Sequence, residues 1–515
     1  MALHPDAILA TGPDASNEPL LAVDEIQGNV LPGFAAGFIT FVGLKIVAGG
    51  EAAARQWLSN LSREITTLGQ MHTVREVRRA VARVVGKRPV EPDLLLNIVL
   101  AHAAIRAFAL DDARIEPTFK AGMKGAAFRD PRDTSGPIGW RVGDTEEKSP
   151  DILLILASDV EATVTARTAA LQAVDPAHDG VRVTYVEAGV RLPGEIEHFG
   201  FRDGISQPGV RGRLSERPDQ VLTRRYFDAA DPRAMSFSRP GQPLLWPGQF
   251  LFGYPTQLDD DPTVPGPVAK PPAPWMQNGS FMVYRRLQQH VDRFRHFAAA
   301  QAPGISAKLG REVTPAEVEA LLVGRWPDGT PLVRSPHGPD PLMADDDDQV
   351  NFFGFASDEA DALVADLGVR RTVPGAVADD NGARCPHFAH VRKVNPRDKN
   401  TDQGPSHRFR VLRRGITFGP PFAEGEEAPV DRGLLFVSYQ RVLDPQFMTL
   451  VSTWMNAPDA PEGFGHDLLV GQSGQPRFGE IKGERVLETT AANEWITPTG
   501  GMFFFSPAVS VLRNL

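Results

Sequence analysis

One pattern constrains this chain more than any other: a strand-and-helix grammar that occurs in its first half and returns in its second. Residues 37–47 (GFITFVGLKIV) form a β-rich run, and residues 51–65 follow it with Trp57, Leu58, Leu61 and Ile65 at helical spacing. Residues 152–156 read as a buried strand, and a helix begins near Asp159 with Ser158 and Glu161 at capping-box spacing. Residues 181–186 are a third strand candidate. In the second half, residues 280–284 predict a strand that runs into a helix over 285–299, with Leu287, Val291 and Phe294 on one face. Residues 434–439 predict a strand, 444–454 a helix with Phe447, Leu450 and Val451 aligned, and 502–505 a last buried strand.

This order predicts an α+β fold of two ferredoxin-like βαββαβ units with antiparallel sheets, related by duplication. The middle strands of each half are the least marked. The expected divisions are a loose N-terminal arm over 1–20, an N-terminal unit over 21–215, a connecting segment over 216–275 and a C-terminal unit over 276–515. With 48 glycines and 45 prolines, the chain is richer in turn residues than an average protein. Its long connections, roughly 202–278 and 303–395, are therefore expected to be ordered covering or functional elements.

Several function classes fall away. A net charge of −10 and no basic run interleaved with aromatics argue against nucleic-acid binding. A single cysteine, Cys385, excludes an internal disulfide and any thiolate metal cage. The longest apolar stretch, 94–110, is broken by Asn97, His102 and Arg106, too polar for a membrane span. No leader pattern is visible in the first 20 residues, so the expected location is cytoplasmic. No H-E-x-x-H, G-x-S-x-G, Walker-type or strand-linked G-x-G-x-x-G motif occurs, which removes the usual support for hydrolase and nucleotide-binding readings.

Two segments concentrate polar residues in Gly-punctuated apolar surroundings. The first is HFGFRDGISQP over 198–208, where Gly200 and Gly204 flank Asp203. An Asp-Gly pair can be a turn-stabilising Asx residue, or a carboxylate aimed into a pocket as a general base. The second, over 384–419, holds His387, His390 and His407 with Arg392, Arg397, Arg408, Arg410, Arg413 and Arg414. So much local positive charge in an acidic protein needs an anion: protein carboxylates, a phosphate or the propionates of a haem. The acidic run over 345–348 reads as a solvated loop or, alternatively, an oxygen-rich site for Mn²⁺ or Ca²⁺.

The Gly200, Asp203, Gly204 segment resembles the GxxDG signature of dye-decolorizing (DyP-type) haem peroxidases. CPHFAHVRKVNPR over 385–397 resembles the segment that carries their proximal haem ligand. Further ordered similarities include DEIQGNVLPGF over 24–34, WPGQFLFGYP over 246–255, NGSFMVYRRLQQ over 278–289, RRGITFGP over 413–420 and TPTGGMFFFSP over 497–507. The length suggests one of the longer subgroups, and Gln249 stands where a glutamate is expected.

The resemblance implies paired ferredoxin-like units in a dimeric α+β barrel-like arrangement, with one haem b per chain bound in the C-terminal unit. It implies that His390 is the iron ligand and His387 structural, with Asp467 behind His390 and Asp444 as runner-up. Asp203 and Arg413, rather than Arg414, would form the distal catalytic pair, and Leu434 and Phe436, alternate residues of one strand, would wall the peroxide pocket. Gly204, Ile205 and Arg392 would contact the cofactor. The chemistry implied is heterolysis of hydrogen peroxide, with Asp203 moving a proton and Arg413 stabilising charge, and an optimum below neutral pH.

The partners expected are hydrogen peroxide and small aromatic reducing substrates or dyes, with no nucleic acid and no membrane, in a possible homo-oligomer. Tyr226, Trp246 and Tyr439 are candidate electron relays, with core packing the competing role. The alternative functions are a haem-binding, iron-handling protein without appreciable turnover, and a Mn(II)-oxidising peroxidase using the acidic run.

Overall fold

A computed structural model describes residues 15–86, 89–124, 139–226, 235–257, 263–355, 378–397, 400–401, 404–426, 430–472, 476–481, 483–489 and 495–515. In the first half, β1 (Phe38–Ile46), β2 (Leu95–Leu100), β3 (Ile152–Ser158) and β4 (Val181–Val190) are joined by α1 (Glu51–Leu61), α2 (Leu68–Val85) and α3 (Glu161–Gln172). In the second half, β5 (Ser280–Gln289), β6 (Leu412–Arg413), β7 (Ile416–Phe418), β8 (Gly433–Gln440) and β9 (Ile496–Ser506) alternate with α4 (Val291–Leu309), α5 (Pro315–Val323), α6 (His390–Lys393) and α7 (Leu443–Met455). One sheet contains all nine strands in the order β6, β8, β5, β9, β2, β3, β1, β4, with β7 paired to β8.

Each half shows the same internal order, second strand, third, first, fourth, which is the ferredoxin-like arrangement. The halves meet where β9 pairs with β2, at Phe505 opposite Leu100. The expected barrel-like closure is not reached: the strand path stays open. At its two ends β7 and β4 pack together without a ladder among the described residues. A side-chain bond from Thr417 Oγ1 to the Val190 carbonyl spans the seam.

Alternation sorts the strand residues onto two faces. Val42, Leu44, Leu154, Leu156, Phe281, Val283, Phe503 and Phe505 pack with the inner sides of α1, α3 and α7. Phe41, Leu153, Ile155, Met282, Tyr284, Leu435, Val437, Tyr439 and Phe504 pack beneath Ile26, Leu31, Phe34 and Phe250. A third cluster joins α4 and α5 to the stretch around Phe388 and Leu468, with Phe436 packed at its border with the first.

Two local expectations change. The helix expected from Arg285 begins only at Val291, because β5 continues through Gln289, paired with both β8 and β9. Its Arg286 is held inside the sheet by Glu187, 2.8 Å from Nε, and Asp431, 2.8 Å from Nη2. The arm expected over 1–20 is docked where it is described: Glu18 is buried and accepts from Arg211 and Arg225. Residues 1–14 of that arm lie outside the described residues.

Candidate active site

The segment bearing His390 is fixed from several sides. α5 opens on Thr314, whose hydroxyl accepts the Glu317 amide, and ends at Gly324 with φ +94°. A Cβ at Gly324 would lie 2.3 Å from Val391 Cγ2, so only glycine satisfies both the left-handed backbone and the close approach of the His390 segment. Gly324→Ala is expected to lower stability by at least about 1–3 kcal/mol, read as a fall in Tm. An unchanged Tm would refute the packing argument.

Downstream, Lys393 Nζ donates to the carbonyls of Ala457 and Gly465, each at 2.8 Å, and burial draws its ammonium down to about 8. Arg392 is fully buried, donating to Glu462 at 2.7 Å and to the carbonyls of Asp379 (2.8 Å) and Cys385 (3.0 Å). It was expected to touch the cofactor. These partners instead engage its guanidinium as a brace inside the fold.

His390 Nδ1 lies 2.7 Å from Asp467 Oδ2. The other Asp467 oxygen accepts the amides of Leu469 (3.0 Å) and Val470 (2.9 Å). Burial by itself raises the Asp467 carboxyl, but the charge and hydrogen bond of His390, the Val470 amide and Lys393 together hold it below its ordinary value. An ionised Asp467 places a proton on His390 Nδ1, so the neutral imidazole carries its lone pair on Nε2. Nε2 has no hydrogen-bond partner among the described residues, and the side chain is 24% exposed. Asp444, the runner-up, accepts from Thr118 Oγ1 at 2.6 Å instead. His387 sits between the carbonyls of Asp380 and Gly463.

The second cluster is built on the loop over 195–207. The Asp203 amide donates to the Glu195 carbonyl at 3.0 Å, and Asp203 Oδ1 accepts the Gly204 amide at 2.6 Å. The Asp203 carboxylate thus bonds the amide next to it rather than closing an Asx turn two residues on, and it faces outward, 42% exposed. Arg413 Nη1 is 3.4 Å from Asp203 Oδ1, and its Nη2 donates to the Ser206 carbonyl at 3.0 Å. The Gln207 side-chain amide bonds both the N–H and the carbonyl of Arg413, stitching β6 to the loop. Arg414 turns the other way, onto the carbonyls of Asn29 and Val30.

Register places these groups relative to the sheet. Arg413 pairs with Ser438, Arg285 with Phe436 and Leu287 with Leu434, so Arg413, Leu434 and Phe436 share one face. Leu434 and Phe436 are only half-buried, although their strand neighbours Leu435 and Val437 are fully buried, so open volume stands on that face. Phe436 packs near Phe447 of α7, and α7 in turn packs against α6, which begins at His390.

A cavity of about 220 Å³ opens beside the loop, lined by Asp203, Gly204, Ile205, Arg202, Arg239 and Asn351 among others. Gly204 has φ +76°, and a Cβ there would meet nothing within 4 Å. The acidic run turns towards this cavity but is met by Arg239, 3.5 Å from Asp347 and 3.1 Å from Asp348. Nowhere among the described residues do three His, Cys, Asp or Glu side chains converge to hold a bare metal ion. Of the aromatic candidates, Trp246 and Tyr439 are core residues, whereas Tyr226 is half-buried, with Arg239 3.6 Å from its ring centroid.

Two groups that the sequence did not single out belong here. Arg410 has no hydrogen bond from its guanidinium among the described residues. Burial and the neighbouring charge of Arg413 pull it down to about 10. Glu197, at the root of the Asp203 loop, accepts the amides of Phe199 and Phe201, each at 2.9 Å. Glu197 lies one residue before the 198–208 segment, and nothing in its spacing marks it. Arg410 was one of six arginines in a run.

The chain's similarities agree with this geometry. The family model described as "Dyp-type peroxidase, C-terminal" matches residues 347–467, a span containing His390, Arg413, Leu434, Phe436 and Asp467. A dye-decolorizing peroxidase of Mycena epipterygia is 30% identical over 456 residues, covering 82% of this chain and 76% of that protein. Another, from Mycetinis scorodonius, is 28% identical and covers 97% of this chain and 89% of its own length. A solved structure of an ancestral D-type dye decolorizing peroxidase aligns with TM-score 0.72 and 28% identity, over 96% of this chain and 99% of that one. Among the described residues no helix is long and apolar enough to cross a membrane.

Proposed function

Because the chain belongs to the dye-decolorizing, DyP-type peroxidase family and is therefore a peroxidase, we propose that its site reduces hydrogen peroxide with the help of Asp203 and Arg413 while oxidising dyes, phenols or similar one-electron donors. The observation that carries this reading is His390, tied at Nδ1 by a buried, ionised Asp467 and open at Nε2. That is the donor set of a proximal haem ligand, whose basicity is raised by the carboxylate behind it.

The surrounding residues fit a haem. Leu434 and Phe436 give a half-open apolar wall, and Arg410 offers a guanidinium that a haem carboxylate matches in charge. A b-type haem is supported because Cys385 is the single cysteine, is buried, and has its thiol pushed up to about 12 by burial, leaving no thiol pair for covalent attachment. Arg410→Leu is expected to weaken haem retention about 10- to 100-fold, the worth of a charge-assisted hydrogen bond, with the far-ultraviolet circular dichroism unchanged. Retention equal to wild type would assign the haem carboxylates to other groups.

A haem held there would supply the redox chemistry that links peroxide to the one-electron donors. The chain's own residues handle protons and charge. Asp203 takes up a proton of hydrogen peroxide on its carboxylate and returns it to the oxygen that leaves as water. The Arg413 guanidinium balances the negative charge that builds as the oxygens separate, and the Ser206 carbonyl and Gln207 hold it in place. Leu434 and Phe436 narrow the space to small peroxides and keep bulk water away. One equivalent of peroxide should convert the Soret band of the haem-loaded protein, and a phenol or dye should restore it. A band unmoved by peroxide would defeat this reading.

A further inference from the structure

Glu197 is a half-buried residue whose carboxylate the proposed chemistry does not use. Three N–H donors converge on it: the amide of Phe199 on Oε2 and of Phe201 on Oε1, each at 2.9 Å, and Nε2 of Gln289, from the end of β5, on Oε2. The Phe199 and Phe201 amides flank Gly200, whose φ is +98°. The Glu197 amide also donates to the Phe201 carbonyl at 2.9 Å. One carboxylate thus gathers the turn that leads into Asp203.

Among the described residues no ion pair balances it. The charge that acts on it is Asp203, of like sign; the histidines adjacent in sequence to Glu197 and Gln289 have other partners, His198 the Phe418 carbonyl through Nε2 and His290 Thr497. Arg432, whose carbonyl accepts the Gln289 amide, spends its guanidinium on Glu426. Desolvation of a carboxylate without a cation favours its protonated form, and it pushes Glu197 up to about 7 despite its hydrogen bonds.

A protonated Glu197 needs an acceptor, yet every neighbour presents a donor. Of the three donors, two are backbone amides, and only the Gln289 amide can reverse its sense; its Oε1 is buried and has no hydrogen-bond partner among the described residues. A half-turn of that amide presents Oε1 to a Glu197 hydroxyl.

We propose that Glu197 and Gln289 form a proton-holding pair at the root of the distal loop, with Glu197 a positioning residue that sets the placement and charge of Asp203. The inference rests on the reading of Asp203 as the proton-transfer group. With the proton on, the loop carries one carboxylate charge, at Asp203. With it off, two like charges share the loop, and the peroxide step slows. The pair therefore favours turnover below neutral pH.

The test uses the haem-loaded full chain. Infrared spectra taken well below and well above pH 7 should show a carboxylic-acid band that disappears as pH rises, is absent in Glu197→Gln and persists in Asp203→Asn. The pH profile of the peroxide-driven Soret change should fall with a midpoint about 7 in wild type and lose that inflection in Glu197→Gln. A band or inflection that survives Glu197→Gln overturns the pair. Should that variant not fold, Gln289→Leu removes both the donor to the ionised form and the acceptor for the protonated one; the charge-assisted bond is the stronger, so the inflection should move to higher pH, and an unmoved inflection overturns the pair equally. If Asp203→Asn instead reacts with peroxide as fast as wild type, the role of Asp203 fails, while the infrared band still reports on Glu197.

Discussion

Arg413→Leu is expected to slow the reaction with peroxide by about 10²- to 10³-fold, the scale for losing one preorganised donor to developing charge, while haem loading and fold stay intact. The Arg413 and Asp203 side chains are 36% and 42% exposed, so their 3.4 Å contact is worth little to stability, and breaking it leaves no buried orphan. What it leaves is an Asp203 without the cation that faces it from β6. Asp203→Asn removes the proton carrier itself and is expected to cost about 10²- to 10⁴-fold. The two groups act on one bond-breaking event, so the double variant should fall well short of the product of the single effects. Stopped-flow recording of the Soret change checks all three. Additive losses would mean that the contact has no functional consequence, and an Arg413→Leu that reacts like wild type would remove Arg413 from the mechanism.

The residues around this pair show why part of the site could be read from sequence and part could not. His390, Asp203 and Arg413 stand in short motifs whose neighbours are local: Gly204 caps Asp203 within one residue, and α6 begins at His390 itself. Arg392 and Arg410 stand in the same basic run and look alike in sequence. Which of them is already matched depends on Glu462, 70 residues downstream of Arg392, and on Asp379. Sequence spacing cannot carry that information.

Gln249 is a similar case. Its Nε2 donates to the Arg408 carbonyl at 2.6 Å, and the glutamate expected there would set acceptor against acceptor.

The fold divides along the same line. β1, β5 and β8 announce themselves as β-rich runs bounded by turn residues. β2 is buried on both faces, so the stretch over 94–110 has no alternation to reveal it. β5 was cut short at Tyr284 because Arg285 and Arg286 look like a helix surface. Arg286 is 1% exposed, and the carboxylates that make this tolerable come from Glu187 and Asp431, each across the sheet from a distant part of the chain. Charge inside a sheet is legible only after its partners are known.

His390→Ala is expected to have the largest effect of all. Haem affinity should collapse and peroxidase activity fall below detection, because no other histidine stands where His390 does. His387 is committed to carbonyls, and desolvation together with the charge of Arg410 draws His407 down to about 3. Asp467→Asn tests the support rather than the ligand. A neutral amide still accepts from Nδ1 but no longer stabilises positive charge on the imidazole, and its one oxygen must also serve the Leu469 and Val470 amides. A loss of about 10- to 100-fold in haem affinity or activity is expected from such a change behind a metal ligand. The pH dependence has a definite sign. Asp467 is held below its ordinary value in the folded chain, so its contribution to stability is present above the unfolded pKa of about 3.9 and is lost as pH falls through the lower folded value. Haem release on acidification should therefore begin only below about pH 4 in wild type, and Asp467→Asn should remove that acid-dependent step. A wild-type Soret band retained by His390→Ala would place the ligand elsewhere, whereas an unaltered acid transition in Asp467→Asn would leave His390 as ligand but detach it from its carboxylate.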